Sequence, residues 1–167
     1  EHVPTVLLTR STEDNTQSAL VFGAAGLASA SLPGILITDP DDWSVTDAAI
    51  RTIDTYDGVL FTSKHAVQRF LSRMDVIRPS DRHLLGGMQI AAVGHKTEKS
   101  LAEANIRIDV VPEKGTAEDL AALLVTSGVE GKRFLFPKSD IARDVLPGSL
   151  REHGAVVEEI DVYRTLP

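Results

Sequence analysis

The sequence contains no cysteine. Disulfide bonds, thiolate catalysis and cysteine-based metal sites are therefore excluded, and this composition fits a cytoplasmic protein. No segment approaches the ~20 continuous apolar residues that a membrane-spanning helix needs. The first residues, EHVPTVLLTR, have neither the basic start nor the long apolar stretch of a signal peptide, so we expect none.

The sequence also lacks an excess of positive charge. Its net charge is −7 at pH 7. This balance argues against a nucleic-acid partner, which would require a basic face. The phosphate-binding pattern GxxxxGK[ST], the nucleophile pattern GxSxG and the metal-binding spacings HxxxH and HExxH do not occur. His65 or His95 could act as an acid or a base, although a solvated loop position is the commoner role of such a histidine.

Short β-branched runs alternate with amphipathic stretches along the chain, which predicts an α/β fold. The runs VLF and IAAV are apolar on both faces, as expected for a parallel sheet covered by helices on both sides. Predicted strands lie at residues 6–9, 34–37, 58–62, 89–93, 108–111, 133–137 and 155–162. Predicted helices lie at residues 13–25, 43–55, 66–74, 98–104, 117–127 and 141–153, and residues 78–87 form a surface loop.

A small hydroxyl stands beside a basic residue at several of the predicted strand-to-helix junctions. They are Arg10 with Ser11 and Thr12, Thr62 and Ser63 with Lys64, Lys96 with Thr97, Lys114 with Thr116, and Lys138 with Ser139. The carboxyl ends of parallel strands lie along one sheet edge, where open α/β folds bind ligands. Helix N-termini at that edge offer unpaired N–H groups and a partial positive charge. The pattern therefore favours an edge that binds an anion.

A purely structural explanation competes with this interpretation. Serine and threonine are common N-cap residues, and the sequences S-T-E-D at Ser11 and T-A-E-D at Thr116 are typical capping boxes. Acidic residues in the first turns already complement the helix dipoles and would compete with an anionic ligand. The repeated basic residue is the part of the pattern that capping does not require.

Several stretches, taken in order, resemble one enzyme family. They are TVLLTR, YDGVLFTSKHAVQRF, IAAVGHKTEKSL, VVPEKGTAEDLAALL and the stretch from KRFLFPKSD to VYRT. The ordered motifs FTS–x–x–AV, AVG–x–x–T and terminal VYRT are together specific, and the chain resembles the uroporphyrinogen-III synthase family. The resemblance implies closure of linear hydroxymethylbilane to uroporphyrinogen III, with loss of water and inversion of the last ring, without a metal or cofactor. The substrate carries an acetate and a propionate on every ring, so it is a polyanion.

The resemblance also implies roles for particular residues. Tyr163 matches the tyrosine of the VY–x–T motif, which would assist departure of the hydroxyl as a hydrogen-bond donor; packing at a strand exit is the alternative. The residues expected to contact substrate are Arg10, Thr62, Ser63, Lys64, Thr97, Lys138 and Ser139. Arg10 could instead pair with a neighbouring acid.

In this family the chain begins in one lobe, builds a second, and returns to the first. The resemblance thus implies that residues 1–35 are the N-terminal strand–helix fragment of the first lobe. Residues 36–167 would be a second, flavodoxin-like α/β lobe that ends at the return crossover. Such a fragment would expose apolar surface, and we expect it to pack on a partner chain, to swap or to shift onto the complete lobe. The alternatives are a truncated inactive synthase lobe, a non-catalytic α/β module that binds a small polyanion, and a receiver-like interaction domain.

Overall fold

The computed structural model describes residues 4–167. Its strands are β1 (Thr5–Leu8), β2 (Ala28–Ser31), β3 (Leu36–Thr38), β4 (Gly58–Phe61), β5 (Gln89–Ala92), β6 (Arg133–Ser139) and β7 (Val156–Leu166). Its α-helices are α1 (Thr12–Ala24), α2 (Ser44–Arg51), α3 (Lys64–Ile77), α4 (His95–Glu103), α5 (Ala117–Ser127) and α6 (Val145–Glu152). Two 3-10 helices span Ile53–Thr55 and Asp81–Gly87. Within residues 4–167, every helix is too short or too polar to cross a membrane.

The chain forms two compact units. Residues up to Asp39 and Arg164–Pro167 make the first, and Pro40–Tyr163 makes the second. In the second unit the strand order is β7-β6-β4-β5, and all three pairings are parallel. Parallel strands need a crossover between them, and the intervening helices provide it. The predicted α/β fold with a parallel sheet flanked by helices is confirmed.

Both faces of this sheet are buried. On one face, Leu60 packs in a cluster with Leu120 of α5 and Leu150 of α6. On the other face, the ring of Phe61 meets that of Phe70 of α3 edge to face, with 5.8 Å between the ring centres. Successive residues of a strand point to opposite faces, so strands covered on both sides are apolar throughout.

In the first unit, β1 and β2 pair in parallel, and α1 connects them. The amide of Asn15, which is 1% exposed, holds the three elements together. Its Nδ2 donates to the Leu8 carbonyl and to Ser31 Oγ, both at 2.9 Å, and its Oδ1 accepts from the Arg10 amide at 2.9 Å. In the same unit, β3 pairs with residues 164–166 of β7, and this pairing is antiparallel rather than parallel.

Large apolar side chains are exposed in the first unit. They are Leu7, Leu20, Val21, Leu32, Ile35 and Leu36, and Leu20 is 72% exposed. α1 itself buries only two polar residues, Asp14 and Asn15. The first unit therefore has apolar side chains at its surface.

Helix starts follow the capping predictions. Ser11 Oγ accepts from the Asp14 amide at 3.3 Å, and Thr116 Oγ1 accepts from the Asp119 amide at 3.1 Å. Each contact satisfies one of the N–H groups that a helix start leaves without a partner in the helix.

Several predicted elements differ from the structure. The helix predicted at residues 43–55 ends at Arg51, and the predicted loop at residues 78–87 contains the 3-10 helix Asp81–Gly87. Residues 108–111 do not form a regular strand, and only Val110 forms an isolated parallel bridge, to Ala91. The helix predicted from residue 141 begins at Val145 instead. Proline is tolerated in the first turn of a helix but not in its interior, so Pro147 favours a start immediately before it.

A two-point ion pair joins α2 to α3. Arg73 Nε and Nη2 donate to the two carboxylate oxygens of Asp47, each at 2.6 Å. The Arg73 guanidinium also lies 4.9 Å from the ring centre of Trp43. Hydrogen bonding to Arg73 holds the pKa of Asp47 below its ordinary value, against a smaller opposing effect of burial.

We expect Asp47→Asn to lower the free energy of unfolding by about 2 kcal/mol at pH 7, because hydrogen bonds to charged groups contribute roughly 1.5–3 kcal/mol. A carboxyl group with a lowered folded-state pKa stabilises the fold above its unfolded pKa, near 4, and loses that effect as the pH falls. Urea unfolding followed by Trp43 fluorescence should therefore show a smaller difference between the two proteins at pH 3. An equal difference at both pH values would contradict this. Asp54→Asn is the control, since Asp54 is 64% exposed beside Arg78.

Candidate functional site

Most of the predicted site residues lie at one edge of the second unit, where the parallel strands have their carboxyl ends. They lie directly after β4, at the end of β6, in the helix after β5 and, on β7, opposite the end of β6. These residues are Thr62, Ser63, Lys64, Thr97, Lys138, Ser139 and Tyr163. Ser139 lies opposite Tyr163 in the β6–β7 ladder, which places the tyrosine at the same edge. Ligands of open α/β sheets bind at this edge.

Tyr163 and Ser63 are in direct contact although they are 100 residues apart in the sequence. The phenol oxygen of Tyr163 lies 3.0 Å from Ser63 Oγ, a hydrogen-bonding distance at which either hydroxyl can donate. Tyr163 is 8% exposed, so its ring packs in the protein while its hydroxyl reaches the helix start. The contact joins the FTS motif to the VYRT motif.

Ser63 is also the N-cap of α3. Its Oγ accepts from the amides of His65 and Ala66, at 3.1 and 3.5 Å. A hydroxyl oxygen that accepts from backbone N–H groups keeps its own hydrogen for donation. Capping of α3 and contact with Tyr163 are therefore compatible.

The β5–α4 junction positions Thr97 differently. Gly94 has φ 91°, a conformation that disfavours residues with a side chain. α4 starts directly after it, and the Thr97 amide donates to the Gly94 carbonyl at 2.9 Å. Thr97 is 3% exposed, so it lies beneath the surface of the edge.

Lys138 and Ser139 both have contacts within the protein. Lys138 Nζ lies 2.8 Å from Asp161 Oδ1 and 3.2 Å from the Ser139 carbonyl. Ser139 Oγ accepts from the Ile141 amide at 3.2 Å, within a turn. A substrate carboxylate at Lys138 would compete with Asp161.

Arg10 belongs to the first unit, whereas the residues grouped above belong to the second. Its Nη2 is 3.0 Å from Asp14 Oδ2, one helical turn further along the chain. This ion pair matches the alternative expectation, that Arg10 pairs with a neighbouring acid.

Of the two histidines considered as acids or bases, His65 adjoins Tyr163. The ring centres are 5.8 Å apart, and the ring planes are inclined by 59°. His65 is partly buried, whereas His95 is exposed. In the part of the chain that the structure describes, no cluster of three or more histidine, aspartate or glutamate side chains could hold a metal ion.

Thr46 is a residue near this edge that the sequence did not indicate. It is 1% exposed, and its Oγ1 donates to the Asp161 carbonyl at 3.0 Å. The ladder between β6 and β7 is irregular at the same point, because Lys138 lies opposite Asp161 and Ser139 opposite Tyr163. Val162 is the extra residue of this β-bulge. Thr46 and Asp161 are 115 residues apart, so no local pattern could have revealed the contact.

Comparison with known proteins gives one consistent family. The family model described as uroporphyrinogen-III synthase HemD matches residues 16–167. The uroporphyrinogen-III synthase of Chlorobaculum parvum is 28% identical over 98% of this chain and 64% of its own length. That of Proteus mirabilis is 26% identical over 96% of this chain and 80% of its own length.

Solved structures share the fold. A crystal structure of a mutant uroporphyrinogen III synthase from the extremely thermophilic bacterium Thermus thermophilus has a TM-score of 0.72 at 18% identity and covers 99% of this chain. The chain spans 64% of that structure. A synthetase structure from Helicobacter pylori has a TM-score of 0.55 at 18% identity, with 98% of this chain and 62% of the other covered.

The family model covers most of the sequence, and it includes the two motifs whose side chains meet at Ser63 and Tyr163. The chain belongs to the uroporphyrinogen-III synthase family.

Proposed function

We propose that this chain carries the reacting edge of a uroporphyrinogen-III synthase. It would close hydroxymethylbilane to uroporphyrinogen III, with loss of water and inversion of ring D, in tetrapyrrole and haem biosynthesis. The observation that supports this most directly is the 3.0 Å contact between Tyr163 and Ser63 at the carboxyl edge of the sheet. A cytoplasmic location and the lack of a nucleic-acid partner remain part of the proposal, on the basis of the net charge of −7 and the cysteine-free composition.

In the first step the C–O bond of the substrate hydroxyl breaks with the help of the electron pair of the neighbouring pyrrole nitrogen. The hydroxyl leaves as water with a proton from solvent, and loss of the pyrrole N–H proton restores the balance. A hydrogen bond from Tyr163 to that oxygen would stabilise the negative charge that develops there. If Tyr163 donates to the substrate, Ser63 can donate to Tyr163, because its oxygen already accepts from the start of α3. The tyrosine would thus act as a hydrogen-bond donor.

The carboxylates of the substrate need partners along the same edge. The starts of α3 and α4 supply backbone N–H groups and a partial positive charge, which suit an anion. Side-chain donors proposed to help are Thr62, Ser63, Lys64, Thr97, Lys138 and Ser139. No strong nucleophile is required, since the substrate closes to the unrearranged isomer without enzyme. The protein would favour the rearranged product by positioning the chain and stabilising charge.

A coupled assay tests the proposal on the 167-residue chain. Hydroxymethylbilane is generated in situ, the products are oxidised, and isomers I and III are separated by chromatography. Isomer III in excess over the enzyme-free control is the expected result. Isomer I alone would overturn the proposal for this chain and would favour a non-catalytic polyanion-binding module or an inactive synthase lobe.

We also propose that residues 1–35 and 36–167 belong to different lobes, and that the apolar surface of the first unit is covered by a second copy of this chain. Exposed Leu20 and Val21 on α1 support this, as does the short parallel pair β1–β2, since parallel sheets are usually covered on both faces.

Light scattering coupled to size-exclusion chromatography at increasing protein concentration should show a monomer–dimer shift. The double variant Leu20→Glu/Val21→Lys should remain monomeric across the same range. As a matched control, Val76→Lys alters a residue that is 66% exposed on α3 and should dimerise like the wild type. A wild-type monomer at all concentrations would contradict self-association.

A further inference from the structure

We propose that Thr46 is a positioning residue for Tyr163 and acts through the bulge in β7. This inference rests on the proposed function for its kinetic consequence, but its structural part can be measured separately.

If the side chains of β7 alternated regularly between the two faces of the sheet, Tyr163 would point away from Ser63. Val157 of β7 belongs to the cluster with Leu150 on the α5–α6 face of the sheet. Tyr163 is an even number of residues further on, so an unbroken strand would place it on that same face. Ser63, however, is the N-cap of α3, and α3 covers the opposite face, where Phe61 meets Phe70.

The bulge explains why Tyr163 nevertheless points towards Ser63. Val162 has no partner on β6, and Tyr163 lies opposite Ser139. The extra residue reverses the alternation, so the side chain of Tyr163 turns to the α3 face and its hydroxyl reaches Ser63 at 3.0 Å. β-Bulges redirect side chains in this way and are over-represented next to active sites.

Thr46 contacts the strand at the residue before the extra one. Its hydroxyl donates to the Asp161 carbonyl at 3.0 Å, and the side chain is buried in α2 at 1% exposure. The next residue of α2, Asp47, is held by Arg73 of α3. The paired helices α2 and α3 therefore support both the bulge in β7 and Ser63, which contacts the Tyr163 hydroxyl. Loss of the Thr46 hydroxyl should let the bulge relax and misplace Tyr163.

The test replaces Thr46 with Val in the full chain. The protein contains two tyrosines, so labelling with 3-fluorotyrosine gives two ¹⁹F resonances, and Tyr56→Phe assigns them. We expect Thr46→Val to shift or broaden the Tyr163 resonance and to leave that of Tyr56 in place. Thr46→Ser should restore the wild-type spectrum. Thr126→Val is the matched control, because the Thr126 hydroxyl bonds within its own helix to the Ala122 carbonyl at 2.8 Å.

The kinetic consequence is measured as formation of isomer III per folded protein. We expect kcat to fall roughly tenfold with KM within about twofold, since a 1 Å misplacement of a reacting group can cost about a hundredfold. In a Tyr163→Phe background, Thr46→Val should cause no further loss, because Thr46 acts through the tyrosine. Thr46→Ala removes the same hydroxyl and replaces the valine variant if that protein does not fold.

Two results would overturn the inference. One is an unchanged Tyr163 resonance with kcat within about twofold of wild type. The other is an equal loss of kcat in the Tyr163→Phe background, which would mean a general structural role. If the wild-type chain forms no isomer III, the proposed function fails, and the ¹⁹F spectra alone decide whether Thr46 positions Tyr163.

Discussion

Tyr163→Phe should reduce the rate of isomer III formation by roughly a hundredfold, the usual cost of removing one donor that stabilises a transition state. The phenyl ring keeps the packing of a residue that is 8% exposed, so folding should be little affected. Only the hydroxyl that contacts Ser63 is lost. We expect kcat to fall and KM to change little, because the lost interaction strengthens as the hydroxyl leaves.

Tyr56→Phe is the matched control for this experiment. The Tyr56 hydroxyl donates to Glu158 Oε2 at 2.5 Å, and Tyr56 lies just before β4, at the amino ends of the strands. It too loses one partly buried hydrogen bond, but at the opposite ends of the strands. Isomer III formation by Tyr56→Phe should stay within about twofold of wild type, as for changes outside the reacting edge. If both variants lost isomer III formation equally, the loss in Tyr163→Phe would not indicate a role in the reaction.

The largest effect on stability is expected for Gly58→Ala, at the start of β4. A methyl group there would lie 2.5 Å from the Gln89 carbonyl oxygen and 2.9 Å from the ring of Phe134. The carbonyl belongs to the neighbouring strand and cannot move away by rotation. We expect a loss of about 3 kcal/mol in the free energy of unfolding, at the upper end for overpacking. Urea unfolding followed by circular dichroism measures it.

Gly86→Ala serves as the comparison. A methyl group at Gly86 would meet nothing within 4 Å. Its effect should be within about 0.5 kcal/mol, as for most surface substitutions. If Gly58→Ala were as mild as Gly86→Ala, the close approach of β4 to β5 described above would be wrong.

The parallel sheet was predictable because its strands are marked by uninterrupted apolar runs in the sequence. Val59, Leu60 and Phe61 are all fully buried, and an uninterrupted apolar run of that length is typical of a strand covered on both faces. The cap at Ser63 was predictable for the same local reason, since a hydroxyl follows the run and a helical pattern starts at once.

Elements that depend on their neighbours were not predictable. β2 has the sequence ASAS, without a β-branched or aromatic residue, and it is a strand because β1 lies beside it. β3 runs antiparallel to the end of β7. Its sequence, LIT, does not indicate the direction in which the strand pairs. Register and pairing are set by tertiary contacts in both cases.

The candidate site was predictable in its residues but not in its geometry. Tyr163 and Ser63 were both singled out by motif resemblance, yet nothing local indicated that their hydroxyls meet. Strict alternation from Val157 would have pointed the tyrosine to the wrong face. The bulge that corrects this contacts Thr46, which is 115 residues from Asp161.

The environment of Tyr56 favours the neutral form of its phenol. Burial and the hydrogen bond to Glu158 raise its pKa to about 12, even though the Arg133 guanidinium lies 4.9 Å from the centre of its ring. Tyr56 therefore keeps the ultraviolet spectrum of a neutral phenol through moderately alkaline solution.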